Sequence, residues 1–295
     1  MTTIETLLAE VQDAWDDPGA LRRLGRELHD RNRLDHATRV LQRVVELDPK
    51  DAESWTYLSY ACFRSMRDED GRTVLRRALD SGCGIKVVSA LSHFTDDDDE
   101  RERLKAALGA DDSPAARASL LGHRMWAGEP REALDGLRSL VEEHPEDEEV
   151  RGQLLWGLLG LKGRQALEGL DLVRDGAPYC EKTIEARPDD VTGYWMLAQM
   201  HLAEKDWSGV LAVTDRALDR FPDEETMMQF RGRAYAQTGR TAEAAHWLSR
   251  AIGAKPSFAG ARVELGKLYE KTGAPDLAEQ IFREIPTANP DYPLG

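Results

Sequence analysis

The sequence predicts an all-α protein built as a stack of helical hairpins, and three observations carry that prediction. Glu225–Phe258 and Ala259–Tyr292 align without a gap at an offset of 34 residues, setting Gly232 over Gly266, Tyr235 over Tyr269, Gly239 over Gly273 and Ala244 over Ala278. The same interval separates Pro188, Pro222, Pro256 and Pro290. Within each copy the apolar residues recur at steps of three and four, the period of a helix, and no convincing strand interrupts them. A fixed repeat of this length marks a stacked array.

Each unit reads as two helices. Met228, Gly232 and Tyr235 share a face of the first, and Gly239 supplies the left-handed residue that ends it. Thr241 is placed to cap the second, on which Ala244, Leu248 and Ala251 form the matching face. Small residues at 232, 244 and 251 let the two backbones approach, while Tyr235 and Leu248 fill the remaining space. Pro256 biases the residue before it away from helical dihedrals and turns the chain into the next unit. One such hairpin cannot bury its apolar face alone, so it needs its neighbours.

Taken in order, residues 1–17 are expected to form an N-terminal capping helix. Ile4, Leu7, Leu8, Val11 and Trp15 make its apolar stripe, and Thr2 with Glu5 its capping box. Repeats follow at about 18–51 and 52–85, the second carrying Trp55 as a structural residue and Cys83 near its end. A degenerate, short repeat spans 86–113, with Thr95 and Asp96–Asp99 at the start of its second helix, where negative charge meets the positive end of the dipole. Regular spacing resumes at 114–147. The repeat at 148–190 is too long, and its surplus is assigned to the second helix, where Asp175-Gly176-Ala177-Pro178 breaks or bends the path. Three ordinary repeats run over 191–224, 225–258 and 259–292, with 293–295 as a tail. The whole of 1–295 reads as one array.

The length of the unit, its Gly–Tyr–Gly–Ala–Ala–Pro columns and its two helices resemble the tetratricopeptide repeat family. The resemblance covers almost the whole chain and is strongest at 191–292. It implies a right-handed α-α superhelical solenoid of about eight helix-turn-helix repeats, whose first helices line a concave groove that holds a partner peptide or protein segment. The groove residues it implies are Arg22, Arg26, Tyr57, Tyr60, Arg64, Trp195, Gln199, Phe230, Arg233 and Lys267, with Trp126, Gln153 and Trp156 among further candidates. An aromatic and partly basic lining suits a segment carrying acidic and apolar residues, since aromatics and arginine dominate binding hot spots. The carboxylate clamp of some relatives is not expected, because Tyr57 replaces the required asparagine and Glu53 adds a negative charge.

Composition narrows the function. The chain has 295 residues and a formal net charge of −15, from 54 acidic and 39 basic residues. That charge argues against nucleic acid or an anionic membrane as a broad-surface partner. No apolar run is long enough to span a bilayer. The N-terminus lacks the basic start and apolar core of a secretory signal. Three widely spaced cysteines, Cys62, Cys83 and Cys180, suit reduced thiols in a cytoplasm. The seven histidines show no metal-ligand spacing, and His201 reads as a packing residue. Neither cofactor, metal nor catalytic residue is expected, so the reading is a non-enzymatic scaffold. Two alternatives stay open: a structural assembly protein self-associating through an uncapped C-terminal repeat, where Ile281 and Ile285 lie partly uncovered, or a regulatory subunit of an enzyme on another chain.

Overall fold

The computed structural model describes residues 15–30, 33–65, 67–163, 168–256 and 258–288. They form sixteen helices and, among the described residues, no strand. The capping helix expected over 1–17 lies outside them except for its last residues, where Trp15 and Asp16 form a turn. Where the sequence reads one array, the contacts gather the chain into two compact units, Met1–Val150 and Arg151–Gly295. Contacts in a repeat stack run only between neighbours, so such a stack divides readily into blocks.

In the first unit the hairpins are α1 (Pro18–Asp30) with α2 (Leu34–Leu47), α3 (Ala52–Arg64) with α4 (Asp68–Asp80), α5 (Ile85–Phe94) with α6 (Asp98–Gly109), and α7 (Pro114–Ala127) with α8 (Pro130–Glu143). Each helix packs on the next, and the first helices α1, α3, α5 and α7 also touch in succession. The core is the helix-period face read from the sequence: Leu21, Leu24 and Leu28 against Ala37, Leu41 and Val44, all buried. Burying one such leucine is worth about 1.5–3 kcal/mol. Trp55 is buried and its indole N–H donates to the Pro49 carbonyl at 2.9 Å. Cys83 also meets that carbonyl, at 3.5 Å. The acidic run opens α6, where the Asp97 carboxylate accepts the Glu100 N–H at 3.0 Å.

The second unit takes most of α9 (Glu148–Gly163), then α10 (Leu172–Ala186), α11 (Thr192–Ala203) with α12 (Trp207–Arg220), α13 (Glu225–Gln237) with α14 (Thr241–Ala254), and α15 (Ala259–Lys271) with α16 (Pro275–Ala288). The first helices α11, α13 and α15 touch in succession. Gly239 has φ +78° and ends the α13 hairpin turn. The cap position of α14 belongs to Arg240 rather than Thr241, and no side chain caps it.

Two further expectations are corrected here. The surplus of the long repeat does not interrupt its second helix. It lies in the connection between Gly163 and Leu172, and α10 runs unbroken through Asp175–Pro178. The Asp171 carboxylate accepts the Arg174 N–H at 3.0 Å, which starts the helix early enough that Pro178 falls in its second turn. Proline there removes a single backbone hydrogen bond. Gly176 is buried against α11, where a Cβ would lie 2.5 Å from the Met200 sulfur. At the last repeat Ile285 is buried rather than partly uncovered, while Ile281 is half-buried and Leu277 on the same helix is 48% exposed.

Candidate functional site

Counted from the first residue of each repeat, the residues at place nine stay accessible except Gly122, which is buried. Tyr60 is 37% and Trp156 54% exposed, Arg233 and Lys267 are exposed, and Arg26 and Gln199 are half-buried. Beyond the first repeat, where Arg23 is exposed, place six turns inward: Tyr57 is half-buried, Met196 buried and Phe230 only 6% exposed. Successive residues rotate by about 100° around a helix, so place nine lies about 40° from place five, while place six lies about 100° from it. Phe230 is therefore a packing residue of α13 and leaves the set that a partner could touch.

In the first unit, the basic residues expected to greet a partner meet the chain's own carboxylates. Arg22 donates through Nε to Asp51 at 2.5 Å and stands 3.9 Å from Asp48. Arg26 stands 3.8 Å from Glu53 and lies over the Tyr57 ring at 5.8 Å. Arg64 donates to the His29 carbonyl at 3.2 Å, and the His29 ring meets Tyr57 edge-on at 5.1 Å. Tyr60 meets Phe94 edge-on at 5.9 Å, and Phe94 stacks on Phe63 at 4.2 Å.

The second unit brings Trp195 and Gln199 together with Trp156 around a cleft of 740 Å³. Trp156, Leu159 and Gly163 lie on one face of α9; Trp195, Gln199 and Ala203 lie on one face of α11. Glu168, Gly169 and Leu170 of the connection complete the lining. The two indoles stand 5.4 Å apart at 46°. Lys162 holds the wall in place. Its ammonium donates to the Leu170 carbonyl at 3.0 Å and to Glu204 at 2.9 Å, and the other Glu204 oxygen accepts the Leu172 N–H at 2.8 Å. A volume of this size lies in the range that accepts small ligands or a few side chains.

Arg233 and Lys267 lie farther along the same unit and bear on Glu264, which also accepts a hydrogen bond from Gln229 at 3.0 Å. Burial nevertheless pushes the Glu264 carboxyl up to about 7, against the pull of those two cations. Sequence reasoning found Trp195, Gln199 and Trp156 but missed Leu159, Lys162, Glu168, Leu170 and Ala203. The spacing of 159 and 163 from 156, and of 203 from 199, carried a signal. The position of the connection carried none.

Among the described residues no group of three His, Cys, Asp or Glu could hold a metal ion, and no helix is long and apolar enough to cross a membrane. His201 is half-buried and hydrogen-bonds Asp206 at 2.8 Å. Cys62, Cys83 and Cys180 are free and buried, and burial pushes the Cys180 thiol up to about 12.

Comparison with known proteins finds a family model described as tetratricopeptide repeat, matching residues 22–82, 211–257 and 231–293. A curated relative, the tetratricopeptide repeat and J domain-containing co-chaperone DNJ1 of Fusarium oxysporum f. sp. lycopersici, is 33% identical over 85 residues. That match covers 29% of this chain and spans only 16% of the relative's length. A crystal structure of a tetratricopeptide repeat protein from Parabacteroides merdae ATCC 43184 is similar at 14% identity and a TM-score of 0.47, covering 92% of this chain and 93% of the other. MamA 41-end from Desulfovibrio magneticus RS-1 is similar at 18% identity and a TM-score of 0.45, covering 60% and 95%.

Proposed function

Because the chain is built with tetratricopeptide repeats, we propose that it is a non-enzymatic scaffold that docks a segment of a partner protein in the cleft between α9 and α11. The observation that carries this reading is the pair of indoles. Trp156 and Trp195 come from first helices of successive repeats, stand 5.4 Å apart, and line an open cleft of 740 Å³. A tryptophan left 54% exposed costs the protein solvation that a partner's side chain would recover on binding. Arg233 and Lys267 are accessible on first helices of the same unit and serve as secondary contacts.

The preference for an acidic segment, expected from the arginines, has little support from the geometry. Arg22 and Arg26 face Asp51 and Glu53, and Arg233 and Lys267 bear on Glu264. A cytoplasmic setting suits three buried free thiols. The test is selection of peptides from a display library on the full chain, followed by their affinities for Trp156→Ala and Trp195→Ala. Binding weakened at least tenfold with unchanged helicity supports the cleft, and selected peptides indifferent to both substitutions remove it.

A further inference from the structure

We propose that the α9–α11 cleft takes a cationic side chain, so that its partner is a basic segment carrying an arginine or lysine between apolar residues. The inference rests on the reading of this cleft as the docking site. It is drawn from the charge and ring faces that the walls present. Two indoles 5.4 Å apart line the cleft, Trp156 with about half of its surface open, and a guanidinium or ammonium over an exposed indole is held by the negative face of the ring. The connection adds the exposed carboxylate of Glu168 to the lining, and α11 adds the amide of Gln199.

The cleft's own cation does not compete for these groups. Lys162 is turned into the wall, where the Leu170 carbonyl and Glu204 receive its ammonium at 3.0 and 2.9 Å. With that charge offset by Glu204, the lining charge left over among the described residues is the negative one on Glu168. Leu159, Leu170 and Ala203 supply an apolar floor for the methylene stem of a long side chain. Space is available beside them: a Cβ built on Gly163 or Gly169 would meet nothing within 4 Å. The chain's net charge of −15 favours approach of a basic partner over an acidic one.

The test titrates the full chain with three small probes, Nα-acetylarginine amide, Nα-acetylglutamate amide and Nα-acetylleucine amide, while the indole N–H signals of Trp156 and Trp195 are followed by NMR. The arginine probe is expected to give saturable shifts of both signals, and Glu168→Lys to weaken it by about two- to fivefold, the range for an exposed charge pair. Glu168 is exposed on a connection, so the variant keeps the fold. Equal or stronger saturation by the leucine or glutamate probe, or an arginine affinity untouched by Glu168→Lys, overturns the cationic occupant and leaves the docking cleft standing. Absence of a saturable shift with all three probes overturns both.

Discussion

A methyl group on Gly232 would lie 2.7 Å from the Cγ of Leu248, closer than real side chains come. Gly25 stands in the same relation to Leu41, also at 2.7 Å, and Gly266 to Phe282. In all three hairpins the glycine of the first helix is sixteen residues before the side chain that fills its surface. The recurring glycine is thus the mould for the large residue of the second helix.

The first prediction follows from that relationship. Gly232→Val forces Leu248 off its place and lowers stability by about 1–3 kcal/mol. Gly152→Ala, in the interior of α9 with nothing within 4 Å of the added carbon, raises stability by about 0.5–1 kcal/mol. Urea unfolding of both variants checks the pair, and a Gly232→Val protein as stable as its parent contradicts the mould.

Phe230 and Trp156 separate packing from docking. Phe230→Ala empties a buried position and costs about 3–5 kcal/mol. Trp156→Ala, at an exposed position, changes stability by about 0.5 kcal/mol or less while removing half of the aromatic pair. Thermal unfolding and peptide affinity, measured side by side, should therefore separate the two variants, Phe230→Ala lowering the unfolding midpoint and Trp156→Ala the affinity.

Acid stability is tied to Glu100. Arg76 donates to both of its oxygens, at 2.9 and 2.8 Å, and Thr95 adds a third hydrogen bond, which together hold the carboxyl down at about 2. A depressed carboxylate contributes stability that is present above its ordinary value of 4.5 and is lost as pH falls from there through about 2. Glu100→Gln should be less stable than the parent at pH 7, with the gap closing across that window. Unfolding midpoints measured from pH 7 to pH 2 test this, and a constant gap would count against the assignment.

Glu264 has the opposite sign. Its carboxyl is raised from 4.5 to about 7 by burial, so the folded protein holds a proton that the unfolded chain has released. Stability therefore declines as pH rises from 4.5 to 7, and the penalty is fully present above that range. Glu264→Gln keeps an acceptor for Gln229 and should be more stable than the parent at pH 8. The advantage should fade toward pH 4.5, which chemical denaturation at several pH values would show.

Thiol chemistry gives a fifth test. Cys180 is buried with its thiol raised to about 12, so at pH 8 it should react with a disulfide reagent only after denaturant is added. Rapid labelling of Cys180 in the folded protein would contradict its burial.

The sequence by itself determined the helical hairpin, its period and its packing face. Those depend on residues three and four apart and on glycine columns such as Gly232 and Gly266, which a linear chain displays directly. The family resemblance placed Trp195 and Gln199 among the groove residues, one helical turn apart. Tertiary structure alone decided the rest. Whether place six or place nine of a first helix meets solvent depends on how neighbouring hairpins rotate against it, and this buried Phe230 while leaving Tyr60 and Trp156 accessible. The pairing of Arg22 with Asp51 and of Arg26 with Glu53, each across about thirty residues, depends on the same stacking. The surplus of the long repeat went into a connection rather than a bend because Asp171 capped α10 before Pro178 was reached, and that connection brought Glu168 and Leu170 to the cleft. Spacing along the chain sets which residues share a face. Only packing sets what the face meets.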